Sequence, residues 1–377
     1  VRRWELAPRP DWRARVEAQG CLFHSADDTG RYWGEGAYYE LSAAEADAVN
    51  AATRELHALC VEAVGAVIAA GRLAELGLGA LASELVEASW RARPPSLYGR
   101  MDLALGPDGV PRLLEYNADT PTSLLEAGVI QWTWLTDCLP GEDQENRIHD
   151  QLIATWRRLA PALGARVHFA FVEDLEDEMT VGYLRDTAEQ AGLKTTGLAM
   201  ADVGWDPARA ALVDLAGEEI RALFKLYPWE GLVVDALAPV LPRVTTTWLE
   251  PAWKQVLSNK AILPILWELF PGHPNLLPAS RTAPREPWPS GVVRKPRLGR
   301  EGANVSIVAP GVDVTTAGPY EPSGFVYQAY TDLGEHDGQR PVIGSWIIGD
   351  QPAGIGIRET AGYVTSNTAR FVPHVVR

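Results

Sequence analysis

Cysteine is scarce in this chain. Its three cysteines among 377 residues, Cys21, Cys60 and Cys138, lie far apart and form no CxxC pair. An odd number cannot close an even disulfide framework, so free thiols in a reducing compartment are expected and the chain is read as cytoplasmic. The seven histidines show no HExxH and no metal-ligand spacing, which excludes histidine-based zinc chemistry. Basic residues are in deficit: 34 Lys and Arg stand against 49 Asp and Glu, a formal net charge of −15. That field repels phosphate backbones, so no nucleic-acid partner is expected. No run of roughly 18 apolar residues occurs, so no membrane-spanning helix is expected. The start, Val1-Arg2-Arg3-Trp4-Glu5-Leu6, has a positive end but no apolar stretch, which argues against a signal peptide. No GxGxxG follows a predicted strand, and no Walker A or GxSxG pattern occurs. Dinucleotide binding, a P-loop and a nucleophile elbow are therefore unsupported.

What is present suits a soluble enzyme body. Hydrophobic residues make up 46% and charged residues 22%, enough to build a core and too apolar for whole-chain disorder. Ser42-Ala43-Ala44-Glu45 is a capping box opening a helical stretch over 42–90, broken at Gly71 and Gly77 to Gly79 and ended by Arg93-Pro94-Pro95. Alternation over 101–105 and 111–117, around the turn Pro107-Asp108-Gly109, predicts a hairpin. Over 142–240 the pattern changes to helix 144–159, strand 167–172, helix 180–191, and strands 211–213 and 222–226, a β-α-β rhythm. Residues 271–300 are rich in Pro and Gly. Beyond them, strands are predicted at 304–308, 324–329, 342–348, 353–358 and 371–375. The fold class is α+β / α/β: a helical N-terminal part over 1–95, a central α/β part with the hairpin over 96–250, and a largely antiparallel part over 251–377, together one unit. The 14 tryptophans are scattered and read as packing residues.

Four groups of residues could carry chemistry. Arg100 and Asp102 share one face of the first hairpin strand, and Glu115 and Asn117 one face of the second. Asp, Glu and Asn oxygens suit Mg²⁺, and an adjacent Arg suits a transferring phosphoryl group; cross-strand ion pairs are the other reading. Lys260, and Lys295 before the loop Leu298-Gly299-Arg300-Glu301-Gly302, suit phosphate, although a lone Lys is commonly a solvated group. Arg358 at a strand end could bind a carboxylate or pair with Glu359 or another acid. The acidic run 173–178 could hold a polycation or be a solvated turn before a helix.

Read in order, these residues resemble a known signature. Tyr98-Gly99-Arg100-Met101-Asp102 and Leu114-Glu115-Tyr116-Asn117-Ala118-Asp119-Thr120-Pro121-Thr122-Ser123 are similar to segments of the glutathionylspermidine synthase family. So are the segments 224–230, 250–254, 259–260, 294–296, 354–359 and 366–374, the last including Asn367. The match runs from about residue 12 to the C-terminus.

The resemblance implies a permuted ATP-grasp fold. Residues 96–250 would form a pre-ATP-grasp-like lobe and 251–377 the nucleotide-binding part. It implies an ATP- and Mg²⁺-dependent carboxylate–amine ligase with two metal ions. ATP phosphorylates the carboxylate, the amine attacks the acyl phosphate, and phosphate leaves. In the enzyme that gives the family its name the acid is the glycine end of glutathione and the amine is spermidine. Stand-alone members need not share those substrates, so the partners are a small-molecule or peptide carboxylate and an amine, a polyamine among them. By position, Asp102, Glu115 and Asn117 resemble the metal ligands, and Arg100 the arginine steadying the transferred group. Lys260 and Lys295 resemble the ATP-phosphate lysines. The loop 296–303 resembles the mobile lid, with its Gly302, and Gln328 the adenine-pocket region. Arg358 and the hydroxyl loop of Thr120, Thr122 and Ser123 would face the acid, and Glu176 and Glu178 the amine. No amidase domain is expected, so neither is hydrolysis of the product. A nucleotide-binding homologue without turnover is the reading from another class.

Overall fold

Ser42 opens the first long helix. Its Oγ accepts from the Glu45 N–H at 3.2 Å, while Glu45 Oε2 accepts from the Ser42 N–H at 2.8 Å. The helix Ala43–Ala69 follows and buries Val49, Leu56, Val64 and Val67 at helical spacing. A second helix, Ala80–Ala92, ends where Arg93 turns left-handed at φ 47° before the two prolines. The computed structural model describes residues 1–26, 30–366 and 368–377; Asn367 lies outside them. The N-terminal part is not only helical. Strands Arg2–Glu5 and Ala37–Leu41 pair antiparallel, and Ala37–Leu41 takes His374–Val376 as a parallel partner, so a three-stranded sheet ties the two chain ends together.

The hairpin forms as its alternation and turn predict, from Tyr98–Leu105 and Pro111–Asn117. It belongs to a five-stranded antiparallel sheet completed by Arg340–Ile348, Gln351–Thr360 and Arg370–Val372. The long N-terminal helix packs on this sheet. A boundary at 250/251 therefore crosses a sheet: the hairpin of the central part is hydrogen-bonded to strands of the last part.

Two further sheets flank it. Ala279–Ser280, Phe325–Ala329, Val292–Pro296, Ser306–Ala309 and Val312–Thr315 make an antiparallel sheet in that order. Thr247–Leu249, Ala222–Leu226, Arg166–Phe171 and Lys194–Ala199 make a parallel one, covered by helices Ile148–Leu163 and Leu175–Gln190. The second of these helices starts five residues before the predicted 180, because Asp174 caps it: its side chain accepts from the Asp177 N–H at 3.0 Å. Lys194–Ala199, polar on its exposed edge, is a strand that alternation did not reveal. Trp33, Trp134, Trp156, Trp229 and Trp346 are fully buried packing residues. The three cysteines are free thiols. Among the described residues no helix is long and apolar enough to cross a membrane.

Candidate active site

Register decides the site. Antiparallel pairing sets Asp102 opposite Glu115 and Arg100 opposite Asn117, so four polar side chains share one patch of the hairpin. The register then slips: Leu103 faces Leu113 and Leu114 is left over, a bulge. Two backbone carbonyls there accept from side chains of the second antiparallel sheet. Lys295 Nζ donates to the Leu114 carbonyl at 3.0 Å and Gln328 Nε2 to the Leu113 carbonyl at 3.0 Å. The irregularity thus fastens the hairpin to the strands bearing Lys295 and Gln328.

The cations meet the acids directly. Arg100 Nε donates to Asp102 Oδ1 at 2.8 Å, and its Nη1 donates to the Thr122 carbonyl at 2.7 Å. Arg358 Nη2 reaches Asp102 Oδ2 at 2.5 Å. Gly344 lies opposite Asp102 on the intervening strand. A Cβ there would sit 2.9 Å from Arg100 Cδ, so the glycine leaves room for the arginine stem. Arg358 does not pair with Glu359, because neighbours on a strand face opposite ways. Glu359 turns inward to Arg3, Arg370 and Tyr39.

Lys260 Nζ lies 2.8 Å from Glu115 Oε2 and donates to the Gly299 carbonyl at 2.7 Å. Lys295 also donates to Gln328 Oε1 at 2.7 Å. Burial alone would raise the Glu115 carboxyl, but the Lys260 ammonium and then Lys295 hold it well below the usual carboxylate range. Burial pushes the Lys295 ammonium down to about 8, against the pull of Glu115. The Gln328 side chain is shared between Lys295 and the Leu113 carbonyl, which ties the lysine to the hairpin.

These residues border two cavities that meet. The smaller, about 140 Å³, is lined by Asp102, Glu115, Lys260, Lys295, Gly302 and Gln328. The larger, about 580 Å³, is lined by Arg100, Asn117, Thr120, Thr122, Ser123 and Glu176. Glu115, Gly299, Glu301 and Arg358 border both. The larger cavity opens at the carboxyl ends of parallel strands, through Val172 and Tyr227, where α/β sheets place ligands.

Glu178 borders neither cavity and faces solvent. Residues two apart on a helix point to opposite sides, and the helix already begins at Leu175. Asp174 and Asp177 line the cavity with Glu176 instead. Burial, reinforced by Asp174 and Glu176, raises the Asp177 carboxyl to about 7. The acid wall is thus real, but with different members.

The loop 296–303 is pinned on both sides. The Lys260 N–H donates to the Arg297 carbonyl at 2.9 Å, and Arg300 Nη2 donates to Glu230 Oε1 at 2.7 Å. Gly302, at φ 66°, passes so close to Val364 and the Thr365 carbonyl that a Cβ would lie within 2.6 Å of both.

Two buried ion pairs hold the frame and were not assigned a role from sequence. Asp119 Oδ1 accepts from Lys225 Nζ at 2.6 Å and its Oδ2 from the Trp229 N–H at 2.9 Å. Glu250 accepts from the Leu97 and Tyr98 N–H groups and from Lys254. The first pair joins the hairpin's exit to the parallel sheet; the second anchors its entry. Spacing of 106 and four residues, respectively, gave only the second a visible signal.

Asp102, Glu115 and Asn117 offer two carboxylates and an amide oxygen. That hard donor set fits Mg²⁺, which takes one or two carboxylates and shares its shell with phosphates. Among the described residues no group of three or more His, Cys, Asp and Glu could hold a metal ion. A cation here would have two carboxylates and would complete its shell with the Asn117 amide oxygen, water or a bound ligand.

A family model described as glutathionylspermidine synthase preATP-grasp matches residues 3–377. The "Putative acid–amine ligase" of Haemophilus influenzae is 39% identical over 381 residues, covering 97% of each chain. The trypanothione synthetase of Crithidia fasciculata is 30% identical, covering 75% of this chain and 48% of its own. The bifunctional glutathionylspermidine synthetase/amidase of Escherichia coli is 28% identical, covering 90% and 59%. The chain thus spans about half the length of these last two. Among solved structures, a glutathione synthetase-like effector from Globodera pallida aligns over 99% of this chain and 98% of its own, with a TM-score of 0.61 and 9% identity, a likeness of fold.

Proposed function

The chain belongs to the glutathionylspermidine synthase preATP-grasp family, and from that premise we propose that it is an ATP-dependent acid–amine ligase working through an acyl phosphate. The observation that carries this is the meeting of the two cavities at Glu115, Gly299, Glu301 and Arg358. One side presents two lysines suited to phosphates, the other arginines and acids suited to a carboxylate and an ammonium.

In this reading the smaller cavity takes ATP. Lys260 and Lys295 hold its phosphates as point charges, and Gln328 keeps Lys295 aimed. The apolar side chains Val293, Ile307 and Leu333 provide a wall for the base. Asp102, Glu115 and Asn117 would hold Mg²⁺, which would neutralise charge on the phosphates and template the transfer. The arginines move from acid to substrate: Arg100 steadies the phosphoryl group and Arg358 holds the acceptor carboxylate with its planar fork. Thr120, Thr122 and Ser123 offer hydroxyls to the same acid. Asp174, Glu176 and Asp177 attract a cationic amine. The pinned loop 296–303 keeps water from the acyl phosphate.

A glycine-terminated peptide such as glutathione and a polyamine such as spermidine fit this division of charge. The test is ADP release with Mg-ATP against a matrix of peptide acids and amines, with mass spectrometry of the products. Release that needs both partners, and a product lighter than their sum by one water, is the expected result. Measurable ATP binding with no release across the matrix would instead assign the chain to non-catalytic nucleotide binding.

A further inference from the structure

Of the four described residues that border both cavities, three are engaged. Glu115 pairs with Lys260, the Gly299 carbonyl accepts from the same lysine, and Arg358 reaches Asp102. The fourth is Glu301. It is exposed, and among the described residues its carboxylate has no hydrogen-bond or ion-pair partner.

Local preference would not choose a glutamate here. The Ala303 N–H donates to the Arg300 carbonyl at 2.9 Å, closing a turn whose two central residues, Glu301 and Gly302, stand at φ 51° and 66°. Two positive values in succession are the pattern of a type I′ turn, which favours Asn, Asp or Gly at its first centre. A glutamate there is strained, and strain of this kind collects at active sites. The turn is held on both sides of Glu301. Arg300 donates to Glu230 at 2.7 Å, and Gly302 lies against Val364 and the Thr365 carbonyl. Glu301 is therefore carried at the tip of the loop 296–303, where the two cavities meet.

We propose that Glu301 is the base that takes a proton from the attacking amine. The inference rests on the acyl-phosphate reading above. In that reading the acyl phosphate forms at the junction of the cavities, so the amine nitrogen must arrive there. Asp174, Glu176 and Asp177 border only the larger cavity and suit docking the rest of the cation. Burial raises the Glu176 carboxyl, and Glu301 adds to that rise. An ammonium between these two acids would relieve their repulsion.

An amine arrives as an ammonium and sheds two protons to become an amide. The first passes to the Glu301 carboxylate and frees the nitrogen lone pair. The N–C bond then forms as the C–O bond to phosphate breaks. The phosphate leaves with that electron pair and takes the second proton. Glu301 returns its proton to solvent after product release. Because the base rides on the loop, the amine becomes a nucleophile only when the loop that excludes water is in place.

The test compares two nucleophiles. Wild-type protein and Glu301→Gln are each given Mg-ATP and glutathione, with either spermidine or hydroxylamine. Hydroxylamine is neutral near pH 7 and attacks acyl phosphates without a base. The variant should lose kcat with spermidine by about 100-fold or more, with the spermidine KM changed less than about threefold. It should keep hydroxamate formation within about threefold of wild type. ADP released with hydroxylamine should still equal hydroxamate formed, because the Arg300 latch is intact. Equal loss with both nucleophiles, or no loss with either, overturns the assignment. So does a raised spermidine KM with kcat unchanged, which would make Glu301 a docking group, or excess ADP with hydroxylamine, which would make it part of the seal. Wild-type protein that forms neither product overturns the reading on which the proposal stands, a failure visible before any variant is made.

Discussion

Asp102 and Arg358 stand 256 residues apart in sequence and meet at 2.5 Å in the fold. A second cation, Arg100, holds the other oxygen of the same carboxylate at 2.8 Å. Across the hairpin, Glu115 is held by Lys260 at 2.8 Å. The acids of the site are thus matched by the cations that the ligase reading assigns to substrates. Binding of a hard cation at the acids frees those side chains, so metal, nucleotide and acid should bind together more tightly than separately.

Arg358→Ala should therefore raise the KM for the acid far more than the KM for ATP. Loss of a charge-assisted hydrogen bond predicts roughly a 10- to 100-fold rise. Arg358→Lys should not restore it, since an ammonium lacks the planar fork. Steady-state kinetics with each substrate varied in turn decides this. An equal rise for ATP would place Arg358 on the nucleotide.

The loop 296–303 should leak when its latch is cut. Arg300 and Glu230 are partly exposed, so Arg300→Ala should cost only about 0–1 kcal/mol of stability. Water should nonetheless reach the acyl phosphate, and ADP release should exceed amide formed. The ratio of the two products measures this, and a ratio of one in the variant would free the loop from any sealing role.

Asp119→Asn should damage the frame. It leaves the Lys225 ammonium, which is fully buried, without its counter-ion. Breaking such a pair from one side costs about 3–5 kcal/mol. Denaturant unfolding should show that loss, and Asp119→Asn combined with Lys225→Met should recover part of it. Unchanged stability in the single variant would contradict the assigned geometry.

His374 should make stability depend on pH. It is fully buried, with Nδ1 3.0 Å from Gln131 Oε1 and Nε2 accepting from the Glu145 N–H at 3.2 Å. Burial holds its imidazole down at about 3. Between about pH 6.5 and 3 the unfolded chain binds a proton that the folded chain does not. Stability should therefore fall as pH drops through that window, by about 1.4 kcal/mol per pH unit from this residue once the unfolded imidazole is charged. The difference between wild type and His374→Gln isolates the effect, and parallel curves would refute it.

The hairpin was legible because alternation and a Pro-Asp-Gly turn set both its strands and the faces of Arg100, Asp102, Glu115 and Asn117. Lys295 was legible as a phosphate candidate by its loop and Lys260 chiefly by the resemblance, but the contact of Lys295 with Leu114 depends on a bulge that no local pattern announces. The acid wall was half legible. A run of acids marks a helix start, yet only the Asp174 cap fixes the helix phase, turning Asp177 inward and Glu178 outward. Asp119 and Lys225 pair across 106 residues, from the hairpin's exit to the parallel sheet. Such features depend on tertiary packing and leave little trace in spacing. The terminal strand Arg2–Glu5 was hidden for the same reason, since it is short and pairs only with Ala37–Leu41, whereas the strand predicted at 371–375 forms as two, Arg370–Val372 and His374–Val376.

The central claim is that phosphate passes to the acid before the amine attacks. The direct measurement uses an acid substrate labelled with oxygen-18 in its carboxylate, incubated with Mg-ATP and the amine. An acyl phosphate formed at the junction of the two cavities must transfer one labelled oxygen to inorganic phosphate, with ADP as the nucleotide product. Unlabelled phosphate, or label in AMP with release of pyrophosphate, would contradict the account.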